Sequence, residues 1–224
     1  MRPQQEYWDK VWQERDWCIA SNFGYGLLDD SDPEFLVGKD VLDVGCGNSE
    51  YSSIPDNTKM FIGVDISGVA LRKIKRESTR GGLLQASALA LPLGDNVVDY
   101  SVCFEALPLF GEHCGVALAE MARVSREGLL FTVSHPDHKL ALGNHSPRDL
   151  PFGKLFTGTA VSVTAFTESE ISTLVTSLGM HLETLAIYTF NQVMNYGVPV
   201  RQQTAYVHGN EKEAMYVKAV HPKV

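Results

Sequence analysis

Two short apolar runs, Val41-Leu42-Asp43-Val44 and Phe61-Ile62-Gly63-Val64, frame the residues that constrain this chain most. The first runs straight into Gly45-Cys46-Gly47; the second ends on Asp65, 22 positions after Asp43. Runs of the same kind recur at Leu83-Leu84-Gln85, at Tyr100-Ser101-Val102-Cys103-Phe104 and at Leu129-Leu130-Phe131-Thr132-Val133. Helical segments fall between them. One spans about Val69 to Arg80, with Ala70, Leu71 and Ile74 on one face, and another about Cys114 to Val124, with Leu118, Met121 and Ala122 toward a core. This alternation predicts a parallel α/β sheet.

The last third of the chain changes character. Thr167-Glu168-Ser169-Glu170 is a capping-box signature, and the helix behind it carries Ile171, Leu174, Val175 and Leu178 before Gly179 stops it. Two runs, about His181 to Phe190 and Ala214 to Val220, are expected to pair antiparallel at the sheet edge. Only Asn48 to Met60 separates the glycine loop from the second strand, and Pro55 interrupts it, so the helix there has room for about two turns. Residues 136–166, with Pro136, Pro147 and Pro151 and glycines at 143, 153 and 158 among them, read as an excursion over the C-terminal end of the sheet. At the other end, Tyr7, Trp8, Val11 and Trp12 form an apolar stripe on an N-terminal helix, either core or a lid over the sheet. Residues 1–224 are read as one domain: a helical cap (1–38), a cofactor-binding half (39–135) and a substrate-side half (136–224).

Charge narrows the partners. The 224 residues hold 19 basic and 27 acidic side chains, a net −8 that argues against a nucleic-acid binder and against a polybasic membrane anchor. No apolar run reaches the roughly 18 residues of a membrane span. The start, Met1 to Glu6, has no apolar leader, and Cys18, Cys46, Cys103 and Cys114 are scattered without metal-ligand spacing. The expectation is a cytoplasmic protein with reduced thiols, no metal, and a monomeric or homodimeric state.

The glycine loop carries the chemistry. Glycines at 45 and 47 permit a tight turn and close approach to a ligand, and an acidic residue at the tip of the next strand reaches the two hydroxyls of a ribose. A dinucleotide site asks for a third glycine at position 50, which here is Glu50, a carboxylate that would repel a pyrophosphate. Asp43, before the first glycine, suits an ammonium. Both points favour a nucleoside carrying an amino acid, S-adenosylmethionine.

At these residues the chain resembles the class I S-adenosylmethionine-dependent methyltransferases, from about residue 40 onward. Val41 to Gly47 is similar to their first motif and Gly63-Val64-Asp65-Ile66-Ser67 to their second. Leu91 to Asp99 resembles the loop entering their fourth strand, and Glu120-Met121-Ala122-Arg123-Val124 the helix before their fifth. The resemblance implies a Rossmann-like, doubly wound, seven-stranded sheet, mostly parallel with an antiparallel C-terminal edge strand, and an N-terminal helical lid. It implies that Asp43, Gly45, Cys46 and Gly47 hold the methionine end of the cofactor, Asp65 the ribose and Ile66 the adenine. Ser87-Ala88-Leu89 stands at the adenine edge, with Ser87 where the family usually has aspartate. Phe104 and Glu105 face the methionine end and the methyl group.

The acceptor side is read from placement. His135 and Glu105 directly follow the fifth and fourth strands, where open α/β sheets bind ligands, and are the candidate proton acceptors. His138 follows on the same loop; His113 reads as an exposed helix start. Tyr7, Trp8, Tyr25, Tyr196 and Arg201 are the remaining candidate substrate contacts. The basic cluster Arg72, Lys73, Lys75, Arg76 and Arg80 reads as a solvated face. A small-molecule acceptor methylated on oxygen or nitrogen is the leading expectation. The alternatives are a protein lysine methyltransferase, a cyclase or related enzyme that consumes the cofactor without methyl transfer, and a silent partner of another methyltransferase.

Overall fold

The computed structural model describes residues 2–14, 33–48, 54, 57–74, 81–134, 136, 164–188 and 214–222. Its helices are α1 (Arg2–Glu14), α2 (Gly68–Leu71), α3 (Cys114–Val124) and α4 (Glu168–Ser177). Its strands are β1 (Asp40–Val44), β2 (Met60–Asp65), β3 (Gly81–Gln85), β4 (Val98–Cys103), β5 (Ser125–Ser134), β6 (His181–Tyr188) and β7 (Ala214–Val220). They form one seven-stranded sheet in the order β3-β2-β1-β4-β5-β7-β6. The five strands read from the sequence all pair in parallel, β1 lying between β2 and β4.

The reversed strand is β7, which pairs antiparallel with β5 on one side and β6 on the other. The two late strands expected to pair antiparallel at the sheet edge do so, with β6 outermost and β7 one position inside. Side-chain chemistry accounts for the order. Met215, Tyr216, Val217 and Ala219 of β7 are fully buried, whereas His181, Glu183 and Thr184 of β6 face solvent. The apolar strand takes the covered place, and the polar one tolerates an edge.

The two faces of the sheet build two cores. Leu42 and Val44 of β1 look toward Leu118 and Met121 of α3 and Ile171 and Val175 of α4, while Val41 looks the other way, toward Leu36, Phe61, Val102, Leu130 and Tyr216. This is the two-residue period of a strand covered on both sides. The capping box of α4 forms as its signature requires: the Glu170 N–H donates to Thr167 Oγ1 at 3.3 Å, and the Thr167 N–H donates to Glu170 Oε2 at 2.8 Å. Gly179 then turns the chain at φ +70°.

The helix after β2 is shorter than its sequence suggested. α2 ends at Leu71; the Lys73 N–H bonds back to Ala70 and the Ile74 N–H to Leu71, the three-residue spacing of a helix that is tightening to a stop. Residues 75–80 lie outside the described residues, as does most of the segment between Asn48 and Asn57. Among the described residues, no helix is long and apolar enough to cross a membrane.

Strand order reverses at β1, with β2 on one side and β4 on the other. The crevice beyond the C-terminal ends of these strands is the usual ligand position of an open α/β sheet. Gly45, Asp65 and Phe104 each stand at or just past the C-terminal end of one of the three strands.

Candidate functional site

The glycine loop leaves β1 and folds back on β2, with the Gly45 and Cys46 N–H groups both donating to the Val64 carbonyl (2.7 and 3.1 Å). Gly45 has φ +74° and Gly47 φ +54°, in the region that favours glycine. The sequence attributed both glycines to a ligand. The structure adds a reason within the protein: a Cβ on Gly45 would lie 2.5 Å from Ala106 Cβ, and one on Gly47 2.8 Å from Trp12 Cζ2. Neighbouring side chains thus occupy the space beside both residues. Asp43 is buried at the end of β1, and Cys46 packs behind the loop with its sulfur facing Gly63.

Asp65 closes the other side of the loop. Its Oδ2 accepts from the Gly47 N–H at 2.9 Å and its Oδ1 from the Ser67 N–H at 2.8 Å. Burial pushes its pKa up, and these two N–H bonds pull it back. Each carboxylate oxygen has a second acceptor direction beyond the one used here. A rigid, oriented carboxylate with spare acceptor capacity fits the two hydroxyls of a ribose.

The adenine-side candidates cluster next to it. The Ala86 N–H donates to the Asp65 carbonyl at 3.0 Å, so the exit of β3 is tied to the tip of β2. Ser87, Ala88 and Leu89 form a half-buried turn in which Ser87 Oγ accepts from the Leu89 N–H at 3.2 Å. The hydroxyl at the aspartate position therefore braces its own turn. Ile66 is half-buried, its carbonyl accepting from Gln85 Nε2 at 3.3 Å.

Beyond β4, Phe104 leads into Glu105, which has φ +59°. For a side chain larger than asparagine that conformation is uncommon and is held here by its neighbours. Thr132, buried on β5, accepts from the Glu105 N–H at 2.7 Å and donates to Glu105 Oε1 at 3.2 Å. Burial pushes the Glu105 carboxyl up to about 7, offset in part by the Thr132 hydrogen bond. A carboxyl titrating near neutrality at a strand's C-terminal end is suited to accepting a proton.

α1 docks on this assembly. Trp12, 8% exposed, lies against Gly47, and Val11 is buried beside it. Tyr7 and Trp8 pack edge to face with ring centroids 5.1 Å apart and remain half-buried. Of the other predicted contacts, His113 is exposed ahead of α3. Tyr25, His135, His138, Tyr196 and Arg201 lie outside the described residues, as do Lys75, Arg76 and Arg80 of the basic cluster. Arg72 is exposed, whereas Lys73 Nζ donates to the Trp12 carbonyl at 2.6 Å.

The sequence reading passed over three residues, Asp9, Trp12 as a site residue, and Thr132. Trp12 had a signal, since it follows Trp8 by one helical turn and so shares its face. A hydroxyl inside an otherwise apolar strand was the sign for Thr132. Asp9 had none, because only the fold brings it to Ser67. The fourth motif resolves into a brace: the Arg123 guanidinium donates to the Leu93 carbonyl (2.9 Å), the Leu91 carbonyl (3.2 Å) and Asp95 (2.7 Å) while paired with Glu120. It shapes the loop that feeds β4.

Residues 42–132 match the family model described as a methyltransferase domain. A probable S-adenosylmethionine-dependent methyltransferase of Mycolicibacterium smegmatis is 26% identical over 187 residues, 82% of this chain and 66% of that protein. An uncharacterised protein of Methanocaldococcus jannaschii is 30% identical over 138 residues, 58% of this chain and 51% of its own length. The chain thus spans about half to two thirds of these curated relatives. Among solved structures, the magnesium protoporphyrin IX methyltransferase of Synechocystis PCC 6803 with bound S-adenosylhomocysteine has the same fold. It aligns at a TM-score of 0.60 and 16% identity, over 97% of this chain and 93% of that one. Residues 42–132 thus match a methyltransferase domain, and the chain as a whole shares the fold of that solved methyltransferase.

Proposed function

We propose that the chain transfers a methyl group from S-adenosylmethionine to an oxygen or nitrogen of a small-molecule acceptor. The observation that carries the reading is the Asp65 carboxylate, fixed at the tip of β2 by the Gly47 and Ser67 N–H groups. Asp65 takes the ribose hydroxyls. Asp43, Gly45, Cys46 and Gly47 hold the methionine end, and Ile66 with Ser87, Ala88 and Leu89 holds the adenine. When bound, S-adenosylmethionine supplies an electrophilic methyl carbon on a sulfonium.

The chain's own residues must then orient the acceptor and take its proton. Glu105 is the base that the geometry supports. Thr132 donates to its Oε1, which leaves Oε2 to accept, and its pKa near 7 lets it hold a proton or release one at neutral pH. His135, the next residue after β5, and His138 are the candidates behind it. Tyr7 and Trp8 on the docked helix, with Tyr25, Tyr196 and Arg201, complete the proposed acceptor pocket.

The test is incubation of the chain with methyl-labelled S-adenosylmethionine and a panel of hydroxyl and amine acceptors, followed by mass analysis. S-adenosylhomocysteine together with a labelled acceptor is expected. Methylthioadenosine as the only product overturns the transfer reading in favour of cleavage at the amino-acid chain. Calorimetry supplies the binding half: Asp65→Ala should weaken S-adenosylmethionine by about 10- to 100-fold, the loss of a charge-assisted hydrogen bond worth roughly 1.5–3 kcal/mol.

A further inference from the structure

α1 is joined to the site by more than packing. Asp9 Oδ1 accepts from Ser67 Oγ at 2.7 Å and from the Val69 N–H at 3.1 Å. Ser67 in turn caps α2, its Oγ accepting from the Ala70 N–H at 3.2 Å, and its own N–H donates to Asp65. Asp65 reaches back to Gly47, Gly47 lies under the Trp12 ring, and the Trp12 carbonyl accepts from Lys73 just past α2. The contacts close a ring: Asp9, Ser67, Asp65, Gly47, Trp12 and back along one turn of α1. Both residues whose N–H groups hold Asp65 also touch α1, Ser67 through Asp9 and Gly47 through Trp12.

We propose that Asp9 is a positioning residue for the Asp65 carboxylate, so that docking of α1 and binding of the nucleoside cofactor are coupled. The proposal rests on the reading of Asp65 as the ribose residue. Its physical basis is the shared Ser67. The Ser67 hydroxyl is held by Asp9 and its N–H orients Asp65 Oδ1, so fixing one end fixes the other. Asp9 stays ionised while it does so: burial raises its carboxyl, but the hydrogen bonds from Ser67, Val69 and Gln5 together with the Arg72 charge outweigh this and hold it below the usual carboxylate range. By linkage, whatever favours docked α1 favours the bound cofactor by the same factor, and the reverse holds.

The experiment is a double-mutant cycle read by calorimetry with S-adenosylhomocysteine as the probe, on the full chain. The variants are Asp9→Ala, Asp65→Ala and the pair, with Asp9→Asn as the conservative control. Asp9→Ala should weaken binding about tenfold. Asp9→Asn keeps an oxygen acceptor for Ser67 and Val69 and should recover most of that loss. In the Asp65→Ala background the Asp9→Ala change should cost less than twofold, because its target is gone; a merely structural contribution from α1 would add in full. Amide exchange across residues 2–14 should slow when the probe is bound to wild type and much less in Asp9→Ala.

The possible failures are separable. If Asp65→Ala binds the probe as wild type does, the ribose reading itself is wrong. If Asp65→Ala weakens binding while Asp9→Ala does not, or if the two losses are fully additive, the positioning role of Asp9 is overturned and the ribose reading stands. If Asp9→Ala fails to fold, the cycle is run with Ser67→Ala in its place against Asp65→Ala, and full additivity of that pair overturns the proposal.

Discussion

Glu105 and Thr132 exchange two hydrogen bonds across the C-terminal ends of β4 and β5: the Glu105 N–H donates to Thr132 Oγ1 at 2.7 Å, and the Thr132 hydroxyl donates to Glu105 Oε1 at 3.2 Å. The pair holds a left-handed glutamate at a strand exit and keeps its carboxyl oriented while burial raises its pKa to about 7.

That shift has a stability consequence with a definite sign. The folded-state pKa stands above the ordinary value of 4.5, so the favourable contribution is complete below about pH 4.5 and is lost as pH rises through about 7. Glu105→Gln keeps the acceptor for Thr132 and removes the charge. It should match wild type in urea denaturation at pH 4.5 and exceed it by about 2–3 kcal/mol at pH 8. Equal stability at both pH values would mean that the carboxyl is not buried as described.

Glu105 also sets an expected pH–rate profile. If it takes the acceptor's proton, turnover rises with pH through about 7 in wild type. Glu105→Gln should lower turnover by roughly 10²–10⁴ and flatten that rise, with cofactor affinity nearly unchanged. A profile that survives the substitution moves the role to His135 or His138.

Gly45 meets Ala106 before it meets any ligand. Gly45→Ala should cost about 1–3 kcal/mol in thermal or urea unfolding, from the positive φ and the close approach together. Adding Ala106→Gly should return part of that loss by removing the nearer obstacle, a Cβ 2.5 Å away, while the φ +74° penalty persists. No recovery in the double variant would show that the backbone conformation alone makes the position glycine.

Away from the site, Thr167→Ala removes the side chain that accepts from the Glu170 N–H at the start of α4. The expected loss is about 1 kcal/mol, and Thr167→Ser should keep most of the cap. A fully stable alanine variant would indicate that packing of Ile171 and Val175 alone determines where α4 begins.

What was legible in the sequence is local. Apolar runs marked β1 to β5, a four-residue pattern marked the start of α4, and Gly45, Gly47 and Asp65 stood in register with two strands because a turn and an acid at a strand tip are encoded within a few residues of each other. Three matters waited for the tertiary structure. The place of β7 between β5 and β6 depends on which strand buries more apolar surface once both exist, and periodicity within either strand is silent on that. The end of α2 at Leu71, followed by Lys73 reaching the Trp12 carbonyl some 60 positions away, is not written in the local apolar pattern. The contacts that brace the proposed site, Asp9 on Ser67, Trp12 on Gly47 and Thr132 on Glu105, are pairs whose members are far apart in the chain. Hydrogen bonds and steric exclusion act over a few ångströms, so these pairings arise only when the fold brings their surfaces together.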